Sequence, residues 1–141
     1  MILMHHQGDP QTMQKDPRYD DVVSDVKAFL EQRLAVAVGE GVPEERVTLD
    51  PGIGFGKTVE HNVELMRRLD VLLALGRLVV IGFSRKSSLG KLLGDPHATT
   101  GSVAASVGAA VAAYERGATI LRVHDVREHV EALAAARAAL A

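Results

Sequence analysis

Polar and glycine residues follow four short apolar runs of the sequence, at the points where strands would end. The four polar segments are 4–8, 50–57, 82–87 and 122–125. They contain a carboxylate at Asp50, cations at Lys86 and Arg122, and an imidazole at His124. If the runs are parallel strands of a βα barrel, their carboxyl ends share one rim, where enzymes of that fold place their active sites. The sequence therefore predicts one pocket on which an acid, cations and an imidazole converge.

Each of these residues also has a simpler structural interpretation. Asp50 precedes a proline and could form a turn, and His124 alone could be a structural histidine. Arg85 and Lys86 could be solvated cations of a loop. Arg122 is different, because it interrupts an apolar run and a buried cation needs a partner. The shared position of these residues at strand ends favours a binding site over the separate interpretations.

The glycine-rich segment 51–57 needs to be distinguished from a nucleotide-binding P-loop. A Gly-Lys-Thr triplet at 56–58 precedes a helical pattern, as in that motif, but the motif requires a glycine where this sequence has Pro51. The segment also lacks the glycine spacing of a dinucleotide-binding loop. Its glycines instead allow the backbone to approach a flat ligand closely, with Phe55 beside it.

The composition is that of an ordinary globular protein and argues against several classes. Of 141 residues, 47% are apolar and 24% charged, and the net charge of -2 does not suggest a nucleic-acid-binding protein. The absence of cysteine excludes disulfides and thiolate metal sites and is consistent with a reducing cytoplasm. No apolar run approaches the ~20 residues of a membrane span. His5 and His6 are adjacent and would point to opposite faces of a strand, so we expect no metal site there.

Short apolar runs alternate with helical patterns along the chain, which predicts parallel βα units of the α/β class in one domain, 1–141. The predicted strands are 2–5, 46–50, 78–82 and 119–123. The predicted helices are 17–39, 59–75, 86–93, 100–116 and 126–140. Asp16 is expected to cap the first helix, which Gly39 and Gly41 end. The apolar residues expected to face the core from the last two helices are Val103, Val107, Val111, Tyr114, Val126, Val130, Leu133 and Leu140.

Four segments resemble signature motifs of the dihydropteroate synthases, in the order of that family and across the whole chain. The segments are 3–14, 49–57, 82–87 and 122–126. The family is a (β/α)8 TIM barrel that binds dihydropterin pyrophosphate deep in the barrel and para-aminobenzoate nearer the rim. The resemblance implies that residues 1–141 form a partial pterin-binding domain, the C-terminal half of such a barrel with about four βα units.

The resemblance also implies a role for each site residue. Asp50, Lys86 and Arg122 would be the catalytic residues. Asp50 would accept hydrogen bonds from the amino-pyrimidine edge of the pterin, and Lys86 would bind the other side of the ring. Arg122 would hold the pyrophosphate together with His124 and the Val123 backbone. The other substrate-binding residues would be Met4 and Phe55 along the ring slot, Gly82 leaving room for the ring, and Ser87 and Arg85 around para-aminobenzoate.

The implied reaction is displacement of pyrophosphate by the arylamine at the pterin methylene carbon, in folate biosynthesis. Magnesium would assist the reaction, but the asparagine that carries it in the family is not in this chain. The partners would be small-molecule substrates, without nucleic acid or membrane, in the cytoplasm. The implied assembly is a homodimer or a pair with a complementing N-terminal half-barrel.

The chain begins inside a predicted strand and supplies about half of the ~250 residues of a full barrel. We therefore expect a truncated start and little or no synthase activity from the isolated chain. Two alternatives stay open. One is a non-catalytic half-barrel that binds pterin or phosphate. The other is a pterin-dependent methyltransferase domain. The motifs at 84–87 and 122–124 favour the synthase over the methyltransferase.

Overall fold

Four short parallel strands form one sheet in which each strand pairs with the next strand along the chain. The computed structural model describes residues 1–141. Its strands, in the order β1-β2-β3-β4, are β1 (Ile2–Met4), β2 (Thr48–Asp50), β3 (Leu78–Ile81) and β4 (Ile120–Leu121). Crossovers between parallel strands are right-handed, so a sheet built in chain order carries its helices on one face. The chain is therefore an α/β fold of four consecutive βα units, a partial TIM barrel, which confirms the predicted fold class.

Six α-helices and one short 3-10 helix connect and follow the strands. The α-helices are α1 (Val22–Gly39), α2 (Val59–Arg67), α3 (Leu69–Leu73), α4 (Ser87–Leu92), α5 (Val103–Glu115) and α6 (Val126–Leu140), and the 3-10 helix is Glu44–Arg46. None of them is long and apolar enough to cross a membrane.

The helices bury one face of the sheet and leave the other open. Leu49 and Val79 lie opposite each other on β2 and β3, and both belong to a core cluster of 17 buried residues shared with the helices. Side chains alternate along a strand, so Asp50 points to the opposite face. On that open face Ile2 is 57% exposed and Leu78 is 53% exposed. The open face corresponds to the inside of a barrel, and it carries the carboxylate.

The first helix begins later than predicted. α1 starts at Val22, and its N-cap is Asp21, whose Oδ1 accepts a hydrogen bond from the Val23 amide at 3.3 Å. The prediction of Asp16 as the cap was wrong. The Asp16 carboxylate instead forms an ion pair with Arg18, with 2.7 Å between Oδ2 and Nη2. Its oxygen therefore binds a side chain and not a backbone amide of α1.

The second predicted helix, 59–75, is two helices with a break at Arg68. The backbone of Arg68 has φ −110° and ψ 37°, outside the helical range, and separates α2 from α3. The Arg68 guanidinium reaches across to α1 and donates to both carboxylate oxygens of Asp21, at 2.9 and 3.2 Å. The break between α2 and α3 therefore lies at the residue that is ion-paired with the N-cap of α1.

The last two helices bury small or polar residues most completely, and the prediction of core-facing residues was wrong for those that are exposed, Val103, Val126, Val130 and Leu140. The other predicted residues are half-buried, namely Val107, Val111, Tyr114 and Leu133. On α5, Ser106, Ala110 and Ala113 are buried, whereas Val103 is exposed. On α6 only His129 is buried. Small side chains allow a helix to approach its neighbours closely, and the Ser106 hydroxyl is satisfied because it donates to the Ser102 carbonyl at 2.7 Å. The exposed apolar residues of α6 are Val126, Val130 and Leu140.

Candidate active site

Asp50 is the last residue of β2, and its buried carboxylate has two partners. Oδ1 accepts a hydrogen bond from the Gly52 amide at 2.8 Å, which forms the turn that the sequence suggested. Oδ2 accepts from Nη1 of Arg122 at 2.8 Å. The Asp50 side chain is 1% exposed and that of Arg122 is 50% exposed. The partner predicted for Arg122 is therefore present, but the arginine itself is not buried.

Gly82 leaves room for the Arg122 guanidinium beside Asp50. β3 lies between β2 and β4, so the Arg122 side chain has to cross the end of β3 to reach the carboxylate. A Cβ atom on Gly82 would lie 2.6 Å from Nη2 of Arg122, closer than nonbonded atoms can approach. The absence of a side chain at the end of β3 thus leaves space for the Arg122 guanidinium.

Lys86 lies beside this ion pair and above an aromatic ring. Its Nζ is 4.3 Å from the centroid of the Phe55 ring, and its side chain packs over Gly54, where an added Cβ would lie 3.1 Å from Cδ. Burial lowers the pKa of Lys86, the positive charge of Arg122 lowers it further, and Asp50 opposes both effects. Asp50, Lys86 and Arg122 are therefore close enough to influence one another electrostatically.

The segments after β3 and β4 are joined by side chains. Ser84 Oγ accepts a hydrogen bond from the His124 amide at 3.1 Å and lies 3.0 Å from Nδ1 of the same residue. Arg85 forms an ion pair with Asp125, with 2.9 Å between Nε and Oδ2. Residues 84–86 and 124–125 thus form one connected unit beside the pair of Asp50 and Arg122.

The remaining predicted substrate-binding residues lie around these groups. Met4 is opposite Asp50 in the register of β1 and β2. Ser87 is the first residue of α4, directly after Lys86. Val123 lies between Arg122 and His124 in the segment that follows β4.

Lys57 and His5 form a buried pair that the sequence analysis did not select. Lys57 is 2% exposed, and its Nζ lies 2.8 Å from Nδ1 of His5 and donates to the carbonyls of Gly52 at 3.0 Å and Phe55 at 3.1 Å. Burial lowers the pKa of Lys57 to about 7, with the Asp50 charge opposing that shift. Burial, followed by the charge of Lys57, lowers the pKa of His5 to about 4. The available signal was a lysine that closes a glycine-rich loop just after a strand.

Three further polar side chains fix the loop between β2 and α2. Gln14 Oε1 accepts from the amides of Gly56 at 2.6 Å and Lys57 at 3.1 Å. Tyr19 donates its hydroxyl to the Gly56 carbonyl at 2.7 Å. Asn62 Oδ1 accepts from the Gly54 amide at 2.9 Å. These contacts satisfy backbone groups that the loop itself leaves unpaired.

The side chains of this chain do not form a metal centre. No group of three or more His, Cys, Asp or Glu residues is arranged so that it could hold a metal ion. Asp50 is the carboxylate at the centre of the site, and its two oxygens are occupied by Gly52 and Arg122. The residues present therefore do not fit the magnesium ion that the sequence resemblance implies.

Comparison with known proteins identifies close relatives of the chain. The model of the pterin binding enzyme family matches residues 1–124. The dihydropteroate synthase of Neisseria meningitidis serogroup C is 48% identical over 136 residues, which are 96% of this chain and 48% of that protein. The chain thus spans about half the length of the curated relatives that it matches.

Solved structures of relatives share the same fold. The dihydropteroate synthase of Thermus thermophilus in complex with 6HMPPP superposes with a TM-score of 0.88 and 48% identity, over 99% of this chain and 55% of that one. The same enzyme in complex with 4-aminobenzoate gives a TM-score of 0.88 over 99% of this chain and 56% of that one.

Proposed function

The chain belongs to the pterin binding enzyme family, and we propose that it takes part in the dihydropteroate synthase reaction. In that reaction dihydropterin pyrophosphate and para-aminobenzoate condense to dihydropteroate and pyrophosphate. The main support for the proposal is that Asp50, Lys86 and Arg122 follow three different strands and lie close together, beside the Phe55 ring.

Asp50 is proposed to bind the amino-pyrimidine edge of the pterin. A carboxylate can accept two parallel N–H donors from such an edge, as it does from a guanidinium. Oδ2 of Asp50 accepts a hydrogen bond from Arg122. A bound pterin would therefore replace this charged donor with the neutral N–H donors of its amino-pyrimidine edge. Arg122 is half exposed and can then turn towards the anionic part of the substrate. Met4 and Phe55 would border the ring, and Gly82 would leave room for it.

The cations are proposed to serve the leaving group and the second substrate. Arg122, His124 and the Val123 backbone would bind the pyrophosphate, and Lys86 would hydrogen-bond the pterin ring. Ser87, directly after Lys86, would bind the carboxylate of para-aminobenzoate with its hydroxyl.

The proposed chemistry is a substitution at the pterin methylene carbon. The C–O bond to pyrophosphate breaks with its electron pair, and the arylamine nitrogen forms the new C–N bond and loses a proton. Arg122 would stabilise the negative charge that develops on the leaving oxygen, because a preorganised cation acts on charge as it forms. Magnesium is expected from the family resemblance, but no step is assigned to it since these residues do not form its site.

The rest of the site would come from outside these four βα units. The open face of the sheet and its unpaired edges at β1 and β4 are suited to further strands. We propose that a complementing N-terminal half-barrel completes the pocket, and that late helices of the barrel form a homodimer. A cytoplasmic location stays a prediction from the sequence.

Titration of the chain with a pterin pyrophosphate, followed by calorimetry, tests the proposed site. We expect measurable binding by the 141-residue chain and much weaker binding by the Asp50→Asn and Lys86→Met variants. Asp20→Asn, which changes an exposed carboxylate, is the matched control and should bind as the original chain does. A chain that folds but binds no pterin, or variants that bind normally, would refute the site.

An activity assay tests the reaction and separates it from the two alternatives. The chain is mixed with the N-terminal half of the Neisseria relative, and dihydropteroate formation is followed. We expect activity in the mixture and little in either half alone. Pterin binding without turnover in the mixture would favour a binding module, and methyl transfer from a methylated pterin would favour a methyltransferase.

A further inference from the structure

Arg85 has an unusual backbone conformation for an arginine. Its φ is 56°, and it is the only residue other than glycine with a positive φ. Side chains with a Cβ are disfavoured in this left-handed region, where glycine is the usual choice. A strained arginine persists only where its surroundings over-determine it, so its contacts are informative.

The guanidinium of Arg85 holds Asp125 with two parallel contacts. Nε donates to Oδ2 at 2.9 Å, and Nη2 contacts Oδ1. The Asp125 side chain is 13% exposed, and hydrogen bonding from Arg85 holds its pKa below the ordinary value. Asp125 also begins α6, where its carbonyl accepts from the His129 amide at 3.2 Å. The arginine is thereby fixed to the segment that carries His124.

The backbone of Arg85 is fixed on its other side by the segment that leads into α5. Its amide donates to Ser106 Oγ at 2.8 Å. Its carbonyl accepts from Thr100 Oγ1 at 3.1 Å and from the Gly101 amide at 3.2 Å. Both peptide groups around the strained residue are therefore held, and neither depends on the guanidinium.

Of the two chain neighbours of Arg85, Lys86 belongs to the proposed site and Ser84 contacts its histidine. Ser84 contacts His124 through Oγ, and Lys86 lies over the Phe55 ring. One strained residue therefore sits between the group that supports the imidazole and the amine that lies beside Asp50.

From this arrangement, and resting on the proposed function, we infer that Arg85 is a positioning residue for the pyrophosphate site. It acts through Asp125 to fix His124 and through its own backbone to fix Lys86, and its guanidinium does not bind a substrate. This differs from the role around para-aminobenzoate that the sequence resemblance implies.

A double-mutant cycle of Arg85→Gly, Asp125→Asn and the two together tests the inference. Glycine adopts the conformation at position 85 without strain, so the fold is not lost for that reason. Asp125 makes no capping bond with its side chain, so Asn at 125 removes the pairing and not a cap. Arg127→Ala, which breaks an exposed pair with Glu131 on the same helix, is the control.

Two measurements are made on each variant. The first is hydrogen exchange at the His124 amide with the chain free of ligand, and the second is the affinity for inorganic pyrophosphate. We expect Arg85→Gly and Asp125→Asn each to speed the exchange and weaken pyrophosphate binding by about tenfold, while the melting temperature changes by only a few degrees. The double variant should be no worse than either single one, because both remove the same contact.

Several outcomes would overturn the inference. Unchanged exchange at His124 in both single variants would do so, as would effects that add in the double variant. Weaker pyrophosphate binding in Arg85→Gly alone would instead make the guanidinium a direct ligand. If the original chain does not bind pyrophosphate, the proposed function loses its anion site, and the exchange measurement still decides the role of Arg85.

Discussion

The loop after β2 and the segments after β3 and β4 flank the same ion pair but are held in different ways. After β2, Lys57 is buried and binds backbone carbonyls and His5, with no carboxylate in direct contact. After β3 and β4, Arg85 is 46% exposed and binds the carboxylate of Asp125. The first region is fixed by backbone shape and burial, and the second by side-chain charge near solvent.

This difference predicts how each region responds to change. A substitution in the β2 loop disturbs groups that cannot reach water, so it should reduce the stability of the fold. A substitution near β3 and β4 removes contacts that water and salt can partly replace, so it should act mainly on ligand binding.

Gly52→Ala should give the largest loss of stability. A Cβ at this position would lie 1.8 Å from the His5 carbonyl oxygen, and the φ of 68° is unfavourable for alanine. We expect the free energy of unfolding to fall by about 3 kcal/mol, measured by urea denaturation. Gly76→Ala is the matched control, since its φ is 72° but nothing lies within 4 Å, and about 1 kcal/mol is expected from backbone strain alone. Equal losses in the two variants would show that the β2 loop is not tightly packed.

Asp50→Asn should act on pterin binding more than on folding. The amide oxygen can still accept from the Gly52 amide, but the charged acceptor for Arg122, which is also the proposed acceptor for the pterin, is lost. A charge-assisted hydrogen bond contributes roughly 2 kcal/mol, so we expect the affinity for a pterin analogue to fall about 30-fold. Calorimetric titration measures this, and a variant that binds within twofold of the original chain would remove Asp50 from the site.

Lys57→Met should change how stability depends on pH. The pKa of Lys57 is lowered from 10.5 to about 7 by burial, so above pH 7 the unfolded chain binds a proton that the folded chain has released. The stability of the original chain should therefore rise with pH from about 7 towards 10, by up to about 1.4 kcal/mol per pH unit relative to Lys57→Met. Urea denaturation at several pH values gives this difference. Parallel curves for the two proteins would mean that Lys57 stays charged in the folded state.

Glu131→Gln should cause the smallest loss of stability, and it measures how much an exposed ion pair contributes. Arg127 and Glu131 are 85% and 64% exposed, four residues apart on α6, with 2.8 Å between Nε and Oε1. Exposed pairs of this kind contribute about 0.5 kcal/mol or less. A loss of stability as large as that of Gly52→Ala would contradict the contrast between the two regions.

The meeting of Asp50, Lys86 and Arg122 could be predicted from the sequence. Each follows an apolar run, and the carboxyl ends of parallel strands lie on the same edge of a sheet, so their proximity follows from strand order. The fold class could be predicted for the same reason, because alternating strands and helices allow few topologies. Strand order does not follow from this alternation alone, since doubly wound sheets share it with a different order, and the expectation of barrel order came from the family resemblance.

The pair of Lys57 and His5 and the buried face of α5 could not be predicted in this way. The partners of Lys57 are backbone carbonyls that converge only when the loop is folded, and periodicity carries no information about them. On α5, Val103 is exposed whereas the smaller Ala110 and Ala113 are buried, which the apolar pattern alone does not predict. In both cases the outcome depends on close packing, which a one-dimensional pattern does not contain.

The chain-ordered sheet has a consequence for how the polypeptide acquires its structure. Ile2 pairs with Thr48, Thr48 with Leu78 and Val80 with Ile120, so each pairing has to close a long connection even though the strands follow one another in the chain. Loop-closure entropy opposes such pairings until they are complete, and parallel sheets therefore form slowly. The β1 partners of the β2 loop are nevertheless translated before the arginine that pairs with Asp50, so the buried carboxylate is made well before its cation.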